Sequence, residues 1–160
     1  MLSVMLICVG KLKEKFYAEA AAEYVKRLGA YCRLEVVELP ESRLPQNPSQ
    51  GEIAAALDRE GAAIRAKIPP NSSVVAMCVE GGMRSSEELA RLMSDWARNS
   101  ARHLVFVVGG SYGLHPSVKD QAWLKLSMSP MTFPHHLARV MLLEQIYRAF
   151  KIQEGSSYHK

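Results

Sequence analysis

No apolar run in this sequence reaches the roughly 18 residues that a membrane-crossing helix needs. The opening MLSVMLICVGKLKEK places apolar residues before basic ones, the reverse of a secretory leader, and reads as a first strand. No Gly-Lys-Ser or Gly-Lys-Thr occurs, which excludes a P-loop. The histidines (103, 115, 135, 136, 159) show no HxxxH or HExxH spacing, so no metal site is expected. Cysteine is scarce: Cys8, Cys32 and Cys78 are odd in number and form no CxxC. They read as reduced thiols in or near the core of a cytoplasmic protein, not as a disulfide framework. There is no internal repeat, low-complexity segment or linker, and no RRM aromatic pair or KH loop. The net charge of +4 permits a nucleic-acid partner without demanding one.

What is present describes one globular unit. With 160 residues, 48% apolar and 22% charged, the chain can bury a single sizeable core over residues 1–160. Leu2–Val9 is a continuous apolar run, expected as a buried parallel strand. Phe16, Ala20, Tyr24 and Leu28 recur at helical spacing, and Leu34–Leu39 is β-like. A proline-bearing loop ends at Ser49, which with Glu52 forms a capping box for a second helix. Val74–Val79 is a third strand. Ser85 and Glu88 repeat the box before Leu89, Leu92, Met93 and Trp96. Leu104–Val108 is a fourth strand, Trp123–Ser127 a short fifth, and His135–Ile152 the last helix. This alternation predicts an α/β domain whose mostly parallel sheet carries helices on both faces.

Gly109, Gly110 and Gly113 follow the fourth strand. A dinucleotide fingerprint would need glycine where Val108 stands and an acidic residue near Phe133, so phosphate cradling is not expected. Glycines at a strand's carboxyl end, with Gly81 and Gly82 after the third strand, instead mark a ligand site at that edge. A loop without charge suits a compact, largely apolar ligand. Met77, Met128, Met131 and Phe133 are suited to pack on an adenine ring, although such methionines serve equally as core filling.

His135 opens the last helix directly after the proline loop. It is a candidate catalytic group, or a helix-end histidine bonded to backbone. Arg139, one turn on, is placed either to stabilise an anion or phosphate or to serve near the helix end. Glu144 reads as an ion-pair partner for Arg148. From Leu137 to Leu143 this helix is apolar nearly all round, which predicts burial on two sides. One side is its own sheet, and the other is most simply a second copy in an isologous homodimer, the alternative being a helix fully enclosed within a monomer. Lys11, Lys13 and Lys15, with Arg148, Lys151 and Lys160, supply charge for phosphate or merely a solvated face.

GGSYGL, then LSMSPMTFPHHLARVMLLEQIYRAFKI, then a terminal YHK resemble the RlmH family of ribosomal RNA methyltransferases, within the SPOUT (α/β-knot) superfamily. The resemblance covers essentially the whole chain. It implies S-adenosylmethionine-dependent methylation of N3 of a pseudouridine in helix 69 of 23S rRNA, on the assembled ribosome. It also implies a homodimer and a C-terminal trefoil knot, which periodicity alone would never suggest. By position, the implied cofactor contacts fall on Met77, on Gly109 and Gly110, and on Met128, Ser129, Pro130, Met131, Thr132 and Phe133. No metal is implied. The tail is implied to lie beside an active site, that of the partner in the dimer, with Tyr158 and His159 positioning the base and Lys160 on phosphate. A side chain at Gly109 is expected to block the cofactor. The chemistry fits this inventory: an imide nitrogen must lose a proton and be aligned with a methyl group. The alternatives are a non-catalytic RNA- or ribosome-binding factor of the same fold and a nucleotide-dependent oxidoreductase with a variant glycine loop.

Overall fold

The structure is a computed structural model that describes residues 1–99 and 103–160. Five strands form one sheet: β1 (Leu2–Val9), β2 (Cys32–Leu39), β3 (Ser72–Met83), β4 (His103–Val108) and β5 (Leu124–Ser127). Every pairing is parallel, in the order β2-β1-β4-β3-β5. Between them run α1 (Lys15–Leu28), α2 (Gln50–Lys67), α3 (Ser86–Asn99), α4 (Pro116–Asp120) and α5 (His135–Gln153).

Strand alternation divides the core in two. Val4, Leu6 and Cys8 with Leu104, Phe106 and Val108 face α1, α3 and α5. Met5, Ile7 and Val9 with Val105 and Val107 face α2 and α4. A sheet covered on both faces needs apolar residues at consecutive positions, which is why β1 and β4 read as unbroken runs. The helix starts are fixed locally. Ser49 accepts from the Glu52 amide at 3.1 Å while Glu52 accepts from the Ser49 amide at 3.1 Å. Ser85 and Glu88 make the same reciprocal pair at 3.1 and 2.7 Å.

Several expectations need correction. Phe16 is exposed; α1 turns Leu28 inward as its spacing implied, together with Ala21. Strand β3 is longer than the Val74–Val79 run, and Gly81 and Gly82 lie inside it, where its register with β5 breaks between Met77 and Gly82. The segment after Gly113 adds a helix that the sequence reading did not include, α4, with Pro116 in its first turn and His115 as the cap. Within the chain α5 packs against both α1 and α3, while Leu137, Val140 and Met141 are only half-buried. Leu143 belongs to this internal core, whereas Met141 is only half-buried. Leu143→Arg should therefore cost at least about 4 kcal/mol, the range of an unpaired buried charge, while Met141→Arg keeps the fold. Chemical denaturation of both variants reads this contrast, and equal stabilities would contradict the placement of Leu143.

Candidate active site

At one edge of the sheet the irregular second half of β3, Met77 to Glu80, meets the loops after β4 and β5. They enclose a cavity of about 400 Å³, within the usual range for small-molecule sites. Of the nominated residues, Met77, Gly109, Gly110, Met128, Ser129, Met131, Thr132, Phe133 and His135 line it. Pro130 does not, and is a bend in the loop rather than a wall. Met77, Val108, Leu126 and Met128 give apolar surface, and backbone of the glycine loop supplies the polar edge. Lys119 pairs with Glu80 at 2.6 Å on another part of the lining. An uncharged wall with exposed backbone fits an adenosyl group of the size of S-adenosylmethionine. Among the described residues, no cluster of three metal-ligating side chains occurs and no helix is long and apolar enough to cross a membrane.

The glycine loop closes on itself. The Gly113 amide donates to the Gly110 carbonyl at 3.1 Å, and Gly113 adopts φ +81°. A Cβ on Gly109 would lie 2.6 Å from the Gly113 carbonyl carbon. The expected effect of a side chain there thus has a different cause: it pries the loop open before any ligand is met. Gly109→Val is expected to abolish cofactor binding, and Gly109→Ala to weaken it strongly, with the helical circular dichroism retained. Calorimetry with S-adenosylhomocysteine measures this; normal binding by the valine variant would displace the pocket from this loop.

Sequence reasoning missed the residue that pins the loop. Glu41, just beyond β2, accepts from the Ser111 amide and hydroxyl, both at 3.0 Å. Its approach requires Gly110 to lack a side chain, since a Cβ would lie 2.6 Å from Glu41 Oε1. Nothing in the sequence links positions 41 and 111. Ser111 and Tyr112 also line the cavity and were present inside the GGSYGL motif.

His135 lies between Glu41 and the cavity. Its Nε2 is buried without a hydrogen-bond partner and is 3.8 Å from Glu41 Oε2. The His136 ring packs edge-on at 4.1 Å. Burial, and then the neighbouring His136, hold the His135 imidazole below its usual value of 6.5. It is therefore neutral at pH 7 and able to accept a proton. The sign for stability follows: above pH 6.5 both folded and unfolded states hold it neutral, and no penalty applies. Below that, the unfolded chain binds the proton more readily, so stability falls as the pH drops toward the folded value. Urea melts from pH 7.5 to 5 should show less of this loss in His135→Gln; an identical slope would refute it.

Arg139 is not among the cavity's lining residues. Its side chain is 4% exposed and donates to Glu38 Oε2 at 2.6 Å and to the Gly10 carbonyl at 2.7 Å. It ties the start of α5 to the ends of β1 and β2. Glu144 pairs with Arg148 at 2.7 Å as the spacing implied. The tail folds back on its own chain. The Tyr158 hydroxyl donates to Glu144 at 3.1 Å, its ring packs 5.1 Å from Tyr147, and the Arg148 guanidinium lies 4.8 Å above it. Burial and then Glu144 push the Tyr158 phenol up to about 12. His159 Nε2 is 2.8 Å from Glu87. Neither residue lines the cavity of its own chain.

The family model described as "Predicted SPOUT methyltransferase" matches residues 2–159. Among solved structures, the chain is similar to a probable methylase family protein from Haemophilus influenzae Rd KW20. The TM-score is 0.55 at 14% identity, over 100% of this chain and 72% of the other. That likeness is one of fold.

Proposed function

This chain belongs to the SPOUT methyltransferase family, and on that footing we propose that it methylates N3 of a pseudouridine in helix 69 of 23S rRNA, within the assembled ribosome. The observation that carries the reading is the convergence of the second half of β3 and the loops after β4 and β5 on one cavity, apolar over much of its wall, with His135 in its lining. S-adenosylmethionine, the donor used by this family, supplies a methyl group already activated on a sulfonium. Met77, Met128 and Phe133 shield the site from water, and the Gly109–Gly113 backbone offers hydrogen-bonding groups to the adenosyl edge. His135, neutral and in the lining of the cavity, is the base that accepts the imide proton as N3 becomes nucleophilic. The RlmH-like terminal motifs support this substrate over other RNAs.

The reading includes a homodimer. Tyr158 and His159 lie outside their own cavity, so a part in gripping the base requires that they reach the cavity of a second copy. It also includes the trefoil knot: stretching the chain from both termini should leave it shorter than a fully extended polypeptide. The decisive experiment incubates the protein with methyl-labelled S-adenosylmethionine and free rRNA, 50S subunits or 70S ribosomes, and maps the label. Transfer to N3 of a helix 69 pseudouridine in 70S particles is expected. Ribosome binding without transfer would restore the non-catalytic alternative.

A further inference from the structure

A second cavity, of about 900 Å³, opens on the same edge of the sheet. The chain leaves β1 toward β2 and leaves β4 toward β5, in opposite directions, so a crevice forms where the two strands lie side by side. Glu41, Ser111 and Tyr112 form a wall of this cavity, and Ser111 and Tyr112 also line the first. Its floor includes Leu44, Ile53 and Leu57. Around it stand Lys11 and Lys13 from the loop after β1 and Arg43 from the loop after β2. Among the described residues, none of these three has an ion-pair partner, whereas Lys15 beside them pairs with Glu19 at 3.7 Å. The acids in the wall are engaged from within. Glu38 holds Arg139, Glu41 holds Ser111, and Glu60 accepts from the Ser42 amide at 2.8 Å. Burial pushes the Glu60 carboxyl up. The half-exposed Tyr112 ring offers a face for stacking.

We propose that this cavity binds a single-stranded RNA nucleotide neighbouring the target, its base against Leu44, Leu57 and Tyr112 and its phosphates on Lys11, Lys13 and Arg43. An apolar floor with an aromatic face and a cationic rim is the chemistry of a stacked base on a phosphodiester chain. The shared wall sets that nucleotide next to the methyl-donor cavity. This assignment rests on the reading of the chain as an RNA methyltransferase and adds where the strand runs.

The test is an amide NMR titration of the full chain with a short single-stranded oligoribonucleotide of mixed sequence, beside uridine monophosphate. The oligonucleotide should move the Gly10, Ser42, Leu44, Ala56 and Leu57 signals. The K11Q/K13Q/R43Q variant should bind it at least ~10-fold more weakly, with a salt slope shallower by roughly 0.7 for each phosphate no longer neutralised. Its affinity for S-adenosylhomocysteine should be unchanged. No binding of the oligonucleotide, shifts confined to other surfaces, or an unaffected triple variant would each overturn the proposal. So would uridine monophosphate binding as tightly as the strand, which would indicate a free-nucleotide site. Loss of S-adenosylhomocysteine binding by the unmodified protein would instead count against the methyl-donor reading alone.

Discussion

Arg139→Met is expected to lower stability by about 3 kcal/mol, the low end for breaking a buried ion pair, because Glu38 remains partly in water. The guanidinium, 4% exposed, bonds Glu38 and the Gly10 carbonyl. Removing it leaves the carbonyl without this donor and frees the first turn of α5 from β1. Since His135 lies on that turn, cofactor binding should weaken as well, more steeply near the unfolding temperature. Urea denaturation gives the first quantity and calorimetry at low temperature the second. A variant as stable as the parent, folded and binding cofactor, yet inactive, would return Arg139 to the role of an anion-stabilising residue.

Removing residues 157–160 should reduce methyl transfer to 70S ribosomes at least ~100-fold, the scale of a misplaced reacting group. Binding of S-adenosylhomocysteine should survive, because neither Tyr158 nor His159 lines the cavity of its own chain. Truncation also strips the tail's packing on Tyr147 and Arg148 from α5, so a fall of roughly 1 kcal/mol in stability is expected alongside. Tyr158→Phe separates the two effects, since the ring can keep its packing while the hydroxyl bonded to Glu144 is gone. Mixing tail-truncated subunits with Gly109→Val subunits then tests the exchange between copies. Active mixed dimers are the expected result. Full turnover by the truncated enzyme alone would end the case for the tail.

Strands and capping boxes are legible in the sequence because their causes are local. Leu2–Val9 carries both faces of its burial in its own composition, and Ser49 and Glu52 need only each other. The pocket loops are legible for a similar reason: glycine and methionine gather within short stretches after β4 and β5. The setting of Arg139 is not, because it is assembled from Glu38 and Gly10, distant in sequence and brought near only once β1 and β2 pair. Glu41 escapes notice for the same reason. The apolar girth of α5 does not say by itself what covers it, because one-dimensional patterning cannot distinguish a neighbouring helix of the same chain from one of another. Helix α4 is hidden because its His115 cap bonds through an imidazole, Nδ1 accepting from the Ser117 amide at 3.1 Å, where a serine or aspartate would have signalled it.

The strand order also has a bearing on biosynthesis. Val4 pairs on one side with Leu34 and on the other with Leu104. A nascent chain can lay β2 against β1 early, yet the opposite flank of β1 must wait for β4. Until then an apolar ribbon has an open edge, the condition under which unfinished chains stick to one another or recruit chaperones. The glycine loop, β5 and α5 are translated later still. Most of the chain must therefore be synthesised before the cavity at this edge of the sheet has all its walls.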